Sequence, residues 1–342
     1  MAEEELNIDG YDFAPEQAAK SGTQCETHGP KIEQHVGDVH TSIQPGLSDE
    51  KFLDALLTTP SDQLIPWEQV ELPSAGLYYS WPDGTIEVRA MGQVAEQALA
   101  TQRLAQSGQS IDMLFRTCCR FPSGFDPVDL LLGDRTFLLY YIRGITHGNM
   151  YEFAVTCPNP DCGAVTMHAY DLNELAGTIK YANRALGTEP FKIILPYLTK
   201  ASGRDVFVGV RFMRGTDATN IAARRKVKNK VMVRPGSART RQAVMPQQQR
   251  QTTATIDSDI SEQLERVIVH VLGDSNQFKI RQFVEKLHSE DTATIRQWLR
   301  DNTPGVDNTI EVSCPDCSNT FVVELPITEG FFRPAERRGI RA

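Results

Sequence analysis

The chain has 342 residues, of which 40% are hydrophobic and 23% charged, with a formal net charge of −9 and seven cysteines. This composition excludes a collagen, a coiled-coil rod and a wholly disordered chain, and the length suits two domains or one with a large insertion. No run approaches the roughly 18 apolar residues of a membrane span, and Met1-Ala2-Glu3-Glu4-Glu5 is acidic where a secretory leader is basic and then apolar, so a soluble, cytosolic protein is expected.

Residues 1–60 hold 12 acidic and 3 basic residues and so account for the whole net charge. Their Gly, Pro, Glu and Gln content offers little apolar surface to offset ordering entropy, and an acidic, disordered tail is expected. One stripe stands out in it. Phe52, Leu53, Leu56 and Leu57 share a helical face that could dock on a partner.

Residues 65–150 read as a hairpin followed by helices. Leu77 and Tyr79, a Trp81-Pro82-Asp83-Gly84 turn, then Ile86 and Val88 predict the hairpin. Helical spacing follows at Gln93 to Gln106 and, through Ile111, Leu114, Phe115 and Cys118, at Ser110 to Arg120. Asp126-Pro127 is a helix start; Asp134 can cap the next helix and Gly148 can end it.

Residues 151–335 carry the specific signal. Tyr151, Phe153 and Val155 alternate into Cys157-Pro158-Asn159-Pro160-Asp161-Cys162-Gly163, and Val165, Met167 and Ala169 alternate away. Thr309 to Ile327 repeats the design around Cys314-Pro315-Asp316-Cys317. Two hairpins (151–172 and 309–327) thus each carry two thiols at the tip. Between them lie a strand pair (Phe191 to Leu195, Val206 to Phe212), a basic linker (218–256) and a helical block (257–302). In that block Ile260, Leu264, Val267, Ile268 and Val271 make one apolar face before Gly273, and helices are expected at Phe278 to Leu287 and Thr292 to Leu299.

In a chain without an export signal, close cysteine pairs read as metal ligands before disulfides. Zn²⁺ takes four ligands tetrahedrally, and a tight turn can supply two corners. Cys157, Cys162, Cys314 and Cys317 are therefore expected to share one structural Zn²⁺, giving an α+β fold with a split zinc ribbon, helices before it and an insertion within it. The long loop is no obstacle. Closing about 150 residues costs roughly 4 to 5 kcal/mol, whereas structural zinc binds with about 10 to 16 kcal/mol. The competing reading is four thiols packed as small hydrophobes. Cys118 and Cys119 read as core; Cys25, His28, His35 and His40 have ligand spacing in a stretch expected to be disordered; His168 reads as a neighbour of the knuckle rather than a ligand.

Four thiolates leave no open position on a metal, and no phosphate-binding Gly-rich loop, HExxH, GxSxG or recognisable carboxylate pair occurs, which argues against an enzyme. Between Asp217 and Asp257 stand nine Lys or Arg with no acid and no aromatic residue. Cations without stacking platforms favour a solvated linker or an acidic protein partner over nucleic acid. A nucleic-acid-binding zinc ribbon is the alternative function, and a zinc enzyme the third.

Three segments ahead of the first knuckle, Leu72-Pro73-Ser74-Ala75-Gly76, Ala100-Thr101-Gln102-Arg103-Leu104-Ala105 and Asp129-Leu130-Leu131-Leu132-Gly133-Asp134-Arg135, resemble the T-even phage baseplate hub assembly proteins. So do Thr303-Pro304-Gly305-Val306-Asp307, the second knuckle, and Leu325-Pro326-Ile327 followed by Phe331-Phe332-Arg333-Pro334. The resemblance covers about residues 65 to 335. It departs from the pattern in the longer first knuckle and the basic Gln-rich stretch. It implies a non-enzymatic protein that assembles, or forms part of, the baseplate hub of a contractile tail. Its partners would be hub and tape-measure proteins and its place the host cytoplasm during assembly, with retention in the virion left open. Phe331 and Phe332 have two readings, rings packed back on the hairpins or anchors for a partner.

Overall fold

The computed structural model describes residues 48–59, 64–81, 83–100, 109–232, 261–327 and 329–332. Strand β1 (Glu68–Glu71) pairs antiparallel with β2 (Thr85–Val88), and β3 (Cys119–Arg120) joins the far edge of β2. Helix α1 (Asp49–Thr58) precedes this sheet; α2 (Gln93–Ala100) and α3 (Gln109–Cys118) follow β2. The first hairpin differs from expectation in its outer arm, which is Glu68–Glu71 and not Leu77 to Tyr79. Ala75 and Gly76 both take positive φ, and a Cβ on Gly76 would lie 2.6 Å from Gly84 N. Such a loop turns back on itself and cannot run as a strand. The Gln93 to Gln106 helix is seen to Ala100; the remainder lies outside the described residues, as do most of the acidic tail, Cys25, His28, His35 and His40.

Helix α4 (Leu132–His147) is buried on nearly every side and sits in the middle of the first core. Phe137, Leu138, Leu139, Tyr140, Tyr141 and Ile142 are all buried, each such side chain contributing about 1.5 to 3 kcal/mol. As expected, the helix ends at Gly148, whose φ of 81° is in glycine's range and whose N–H donates to Gly144 O. Arg143, also buried, donates to Gly148 O (2.7 Å) and Met150 O (3.3 Å) and so places a cation at the helix C-terminus.

The two thiol-tipped hairpins pack on this helix. Strand β4 (Met150–Thr156) pairs with β5 (Val165–Asp171), and β11 (Thr309–Ser313) with β12 (Thr320–Glu324), both antiparallel and both as expected. Period-two alternation sends Tyr151 and Phe153, and Ile310 and Val312, into the same core. A short pair of β6 (Ile179–Lys180) and β10 (Gly305–Val306) brings the chain leaving one hairpin to the chain entering the other. Gly133 makes that crossing possible. A Cβ there would sit 1.8 Å from Pro304 O.

A second core is built on the sheet β7-β8-β9, from β7 (Phe191–Ile194), β8 (Phe207–Val210) and β9 (Ile268–Val271). Helix α5 (Pro196–Ser202) connects its first strands, and α6 (Gly215–Met232) leads out of β8 into the basic stretch. Helices α7 (Gln277–Val284) and α8 (Ser289–Asn302) cover the sheet through Ile280, Val284 and Ile295. Among the described residues the continuous helix expected up to Val271 runs over 261–267 and then becomes β9. The run Val267-Ile268-Val269-His270-Val271 is β-branched at four of its five positions, and pairing with β8 satisfies it better than another helical turn. Most of the basic linker lies outside the described residues; Arg224 is exposed, 3.8 Å from Glu265. Among the described residues no helix is long and apolar enough to cross a membrane.

Hydrogen bonds tie the two cores at Leu132 N–H to Met213 O (3.0 Å) and Gly215 N–H to Leu130 O (2.9 Å). The Tyr78 ring contacts Phe191 and Phe212 edge-on at 5.8 and 5.0 Å. Asp134, expected to cap its own helix, instead holds the loop that follows β1. Its carboxylate accepts from Ser74 N–H (3.0 Å) and from the Tyr79 hydroxyl (2.7 Å), which in turn accepts from Leu131 N–H (2.6 Å). Burial pushes the Asp134 carboxyl up to about 6 against the pull of these hydrogen bonds.

Candidate metal centre

Each knuckle is a turn closed by its own backbone. In the first, Cys157 N–H donates to Ala164 O (2.8 Å), and Cys162 and Gly163 N–H both donate to Asn159 O (3.0 Å). The second does the same with fewer residues, Cys314 N–H to Asn319 O and Ser318 N–H to Cys314 O, both 2.9 Å. The residue after the second cysteine of each pair takes positive φ, Gly163 at 57° and Ser318 at 56°. Glycine signals that geometry in the sequence; serine at the matching position gave no such signal.

The four sulfurs lie within 4.8 Å of one another. Cys157 Sγ is 3.6 Å from Cys317 Sγ, and Cys162 Sγ is 3.8 Å from Cys314 Sγ. Both contacts run between hairpins, so the cluster joins residues more than 150 positions apart. A tetrahedral ion about 2.3 Å from each thiolate holds its sulfurs about 3.8 Å apart. The donor set therefore fits a metal ion. Disulfides would need sulfurs at about 2 Å, and all four thiols are free.

Protonation is uneven across the cluster. Cys317 is drawn down to about 7, first by the Asn319 N–H and then, against burial, by hydrogen bonds from the other three thiols. Cys162 rises to about 12 because burial and its three thiol neighbours outweigh the Ala164 N–H that favours its thiolate. Burial foremost also raises Cys157. The Cys317 thiolate is thus favoured while Cys157 and Cys162 hold their protons more tightly, and an ion taking these sulfurs would displace those protons.

His168 stays out of the donor set. Its Nε2 is 2.8 Å from Thr166 Oγ1 and its ring lies 6.1 Å from that of Phe153. Cys118 and Cys119 are buried in the first core, as expected, where desolvation pushes Cys118 up to about 12 and Cys119 well above an ordinary thiol. Phe331 and Phe332 are buried as well, in helix α9 (Glu329–Phe332). The Phe331 ring stands edge-on to Tyr140 (5.4 Å), Tyr151 (4.9 Å) and Phe332 (4.8 Å). Both rings are covered within the chain, Phe331 by Tyr140 and Tyr151 and Phe332 by Phe331, and neither offers an exposed surface. Tyr140 and Tyr151 also donate to Leu325 O (3.2 Å) and Pro326 O (2.8 Å), fastening the segment after β12 to the core. The stripe in α1 is helical, with Phe52 45%, Leu53 55% and Leu57 76% exposed, and the helix buries none of its residues.

A family model described as "T4 bacteriophage base plate protein" matches residues 75–333, a stretch containing both hairpins, the insertion and the two C-terminal phenylalanines. No curated protein and no solved structure matches the chain.

Proposed function

The chain belongs to the T4 bacteriophage baseplate protein family, and from that premise we propose that it is a non-enzymatic component that assembles, or forms part of, the hub of a contractile-tail baseplate. The observation that carries this reading is the family match across both cores. The Cys157, Cys162, Cys314 and Cys317 cluster is a structural zinc site, closing a split zinc ribbon made from the two hairpins. Its role is mechanical. With every ligand position filled by a thiolate, zinc fixes one hairpin to the other and has no place for a water nucleophile. A baseplate part must hold its shape while neighbouring proteins dock, and a cross-link between distant segments serves that end. Hub and tape-measure proteins are the partners, met in the host cytoplasm during assembly.

Tagged chain expressed during phage growth tests this reading. Hub or tape-measure proteins should co-purify with it, and mass spectrometry of purified baseplates should find the chain if it remains in the particle. Absence from baseplates, from assembly intermediates and from every tail-protein complex would overturn it.

A further inference from the structure

Two surface features of the described residues complement each other. The first is α1, Asp49–Thr58, an amphipathic helix with no fully buried residue, only Ala55 and Leu56 being partly covered. Phe52, Leu53, Leu56 and Leu57 form its apolar face, Glu50 and Asp54 flank that face one turn apart, and Lys51 points to the opposite side. The second is a cavity of about 340 Å³ between α8, the helical stretch 261–267 and the start of α4. Its lining includes Met213, Leu264, Val267 and Leu299, with Arg296 and Arg300 at its edge. Both arginines are exposed and make no ion pair among the described residues.

We propose that α1 of one chain docks in this cavity of a second copy. The charges carry the assignment. Glu50 and Asp54 stand four residues apart on one helix, Arg296 and Arg300 four residues apart on another, so both pairs are about 6 Å apart along their axes. Laid side by side the helices place two carboxylates against two guanidiniums while Leu53 and Leu57 enter the apolar cavity. This is the helix-in-groove mode of recognition. Within one chain no residue of α1 lines the cavity, so the contact is made between chains. It gives the protein a means of self-association that does not depend on the zinc site or on the baseplate reading.

Sedimentation velocity of the full-length chain over a wide concentration range tests the contact. Wild-type protein should associate reversibly. Glu50→Arg with Asp54→Arg, and separately Arg296→Glu with Arg300→Glu, should each weaken association about tenfold or more, since each confronts like charges at two positions. Mixing the two variants matches charges in both directions, α1 of the first on the altered cavity of the second and the unaltered α1 of the second on the unaltered cavity of the first, and should restore an association that neither variant shows alone. All four sites are exposed, so melting should be unchanged. A wild-type chain that stays monomeric throughout overturns the proposal. So do variants that associate as tightly as wild type, or a mixture that fails to pair.

Discussion

Around the thiol-tipped hairpins only one face of each strand pair is covered. Met150, Val165, Met167 and Val322 on the other face are all more than half exposed. In the second core the central strand β8 buries Val208, Gly209 and Val210 in succession, with paired strands on both edges. A two-stranded hairpin is marginal alone, and these two share one core from opposite ends of a long loop. The comparison teaches where a cross-link would matter: the elements of only two strands are the ones whose tips bring four sulfurs together, while β8 is held by strands on both of its edges.

Disabling the proposed zinc site should set the two regions apart most. Cys157→Ser, Cys314→Ser or exhaustive chelation should empty the site and lower the melting temperature by roughly 10 °C or more, since structural zinc contributes many kcal/mol. Hydrogen exchange should locate the damage. Protection should fall across residues 150–171 and 309–324 and persist across 191–210 and 277–302. Uniform loss over both regions would show a single cooperative unit, and unchanged metal content in both variants would remove the shared site.

A second, smaller effect sharpens the comparison from the packing side. Phe331→Ala deletes a fully buried ring that touches Tyr140, Tyr151 and Phe332, and should cost about 3 to 5 kcal/mol. Zinc content measured in the folded variant should be unchanged, because the ring packs on the strands and not on the sulfurs. Stability within 1 kcal/mol of wild type in denaturant titration would mean that the C-terminal segment adds nothing to the first core.

Much of this contrast was legible in the sequence, for a physical reason. Alternation around Cys157-Cys162 and Cys314-Cys317 is a local pattern, and a tight turn with two thiols has few uses. Gly148 likewise carries its own explanation. What stayed hidden depended on distant neighbours. Asp134 lies near a helix start, where an acid suits the dipole whether or not its carboxylate faces elsewhere; only the fold reveals the Ser74 loop against it. The run Val267 to Val271 is apolar under either period, and β8 decides in favour of strand. Ser318 takes the backbone shape of Gly163 with no residue-type signal. The edge-on rings that bury Phe331 come from α4 and β4, far away in the chain.

The smallest effect concerns the seam between the cores and depends on pH. Asp134 is fully buried, with a pKa raised to about 6, while an unfolded aspartate titrates near 3.9. Its folded form therefore holds the proton more tightly than its unfolded form. The associated stability is complete below about pH 4 and is lost as pH rises through about 6, a change on the order of 3 kcal/mol. Asn at this position is nearly isosteric with the protonated acid: its amide oxygen can accept from Ser74 N–H, and its amide nitrogen can donate to the Tyr79 oxygen. Asp134→Asn should therefore match wild type to within about 1 kcal/mol at pH 4 and gain on it steadily to pH 7, where the wild-type carboxylate is ionised in a site that desolvates it. Urea titrations of both proteins at several pH values measure that difference directly. Parallel stability curves across the range would mean that Asp134 ionises as readily folded as unfolded, and that burial at the seam does not raise its pKa.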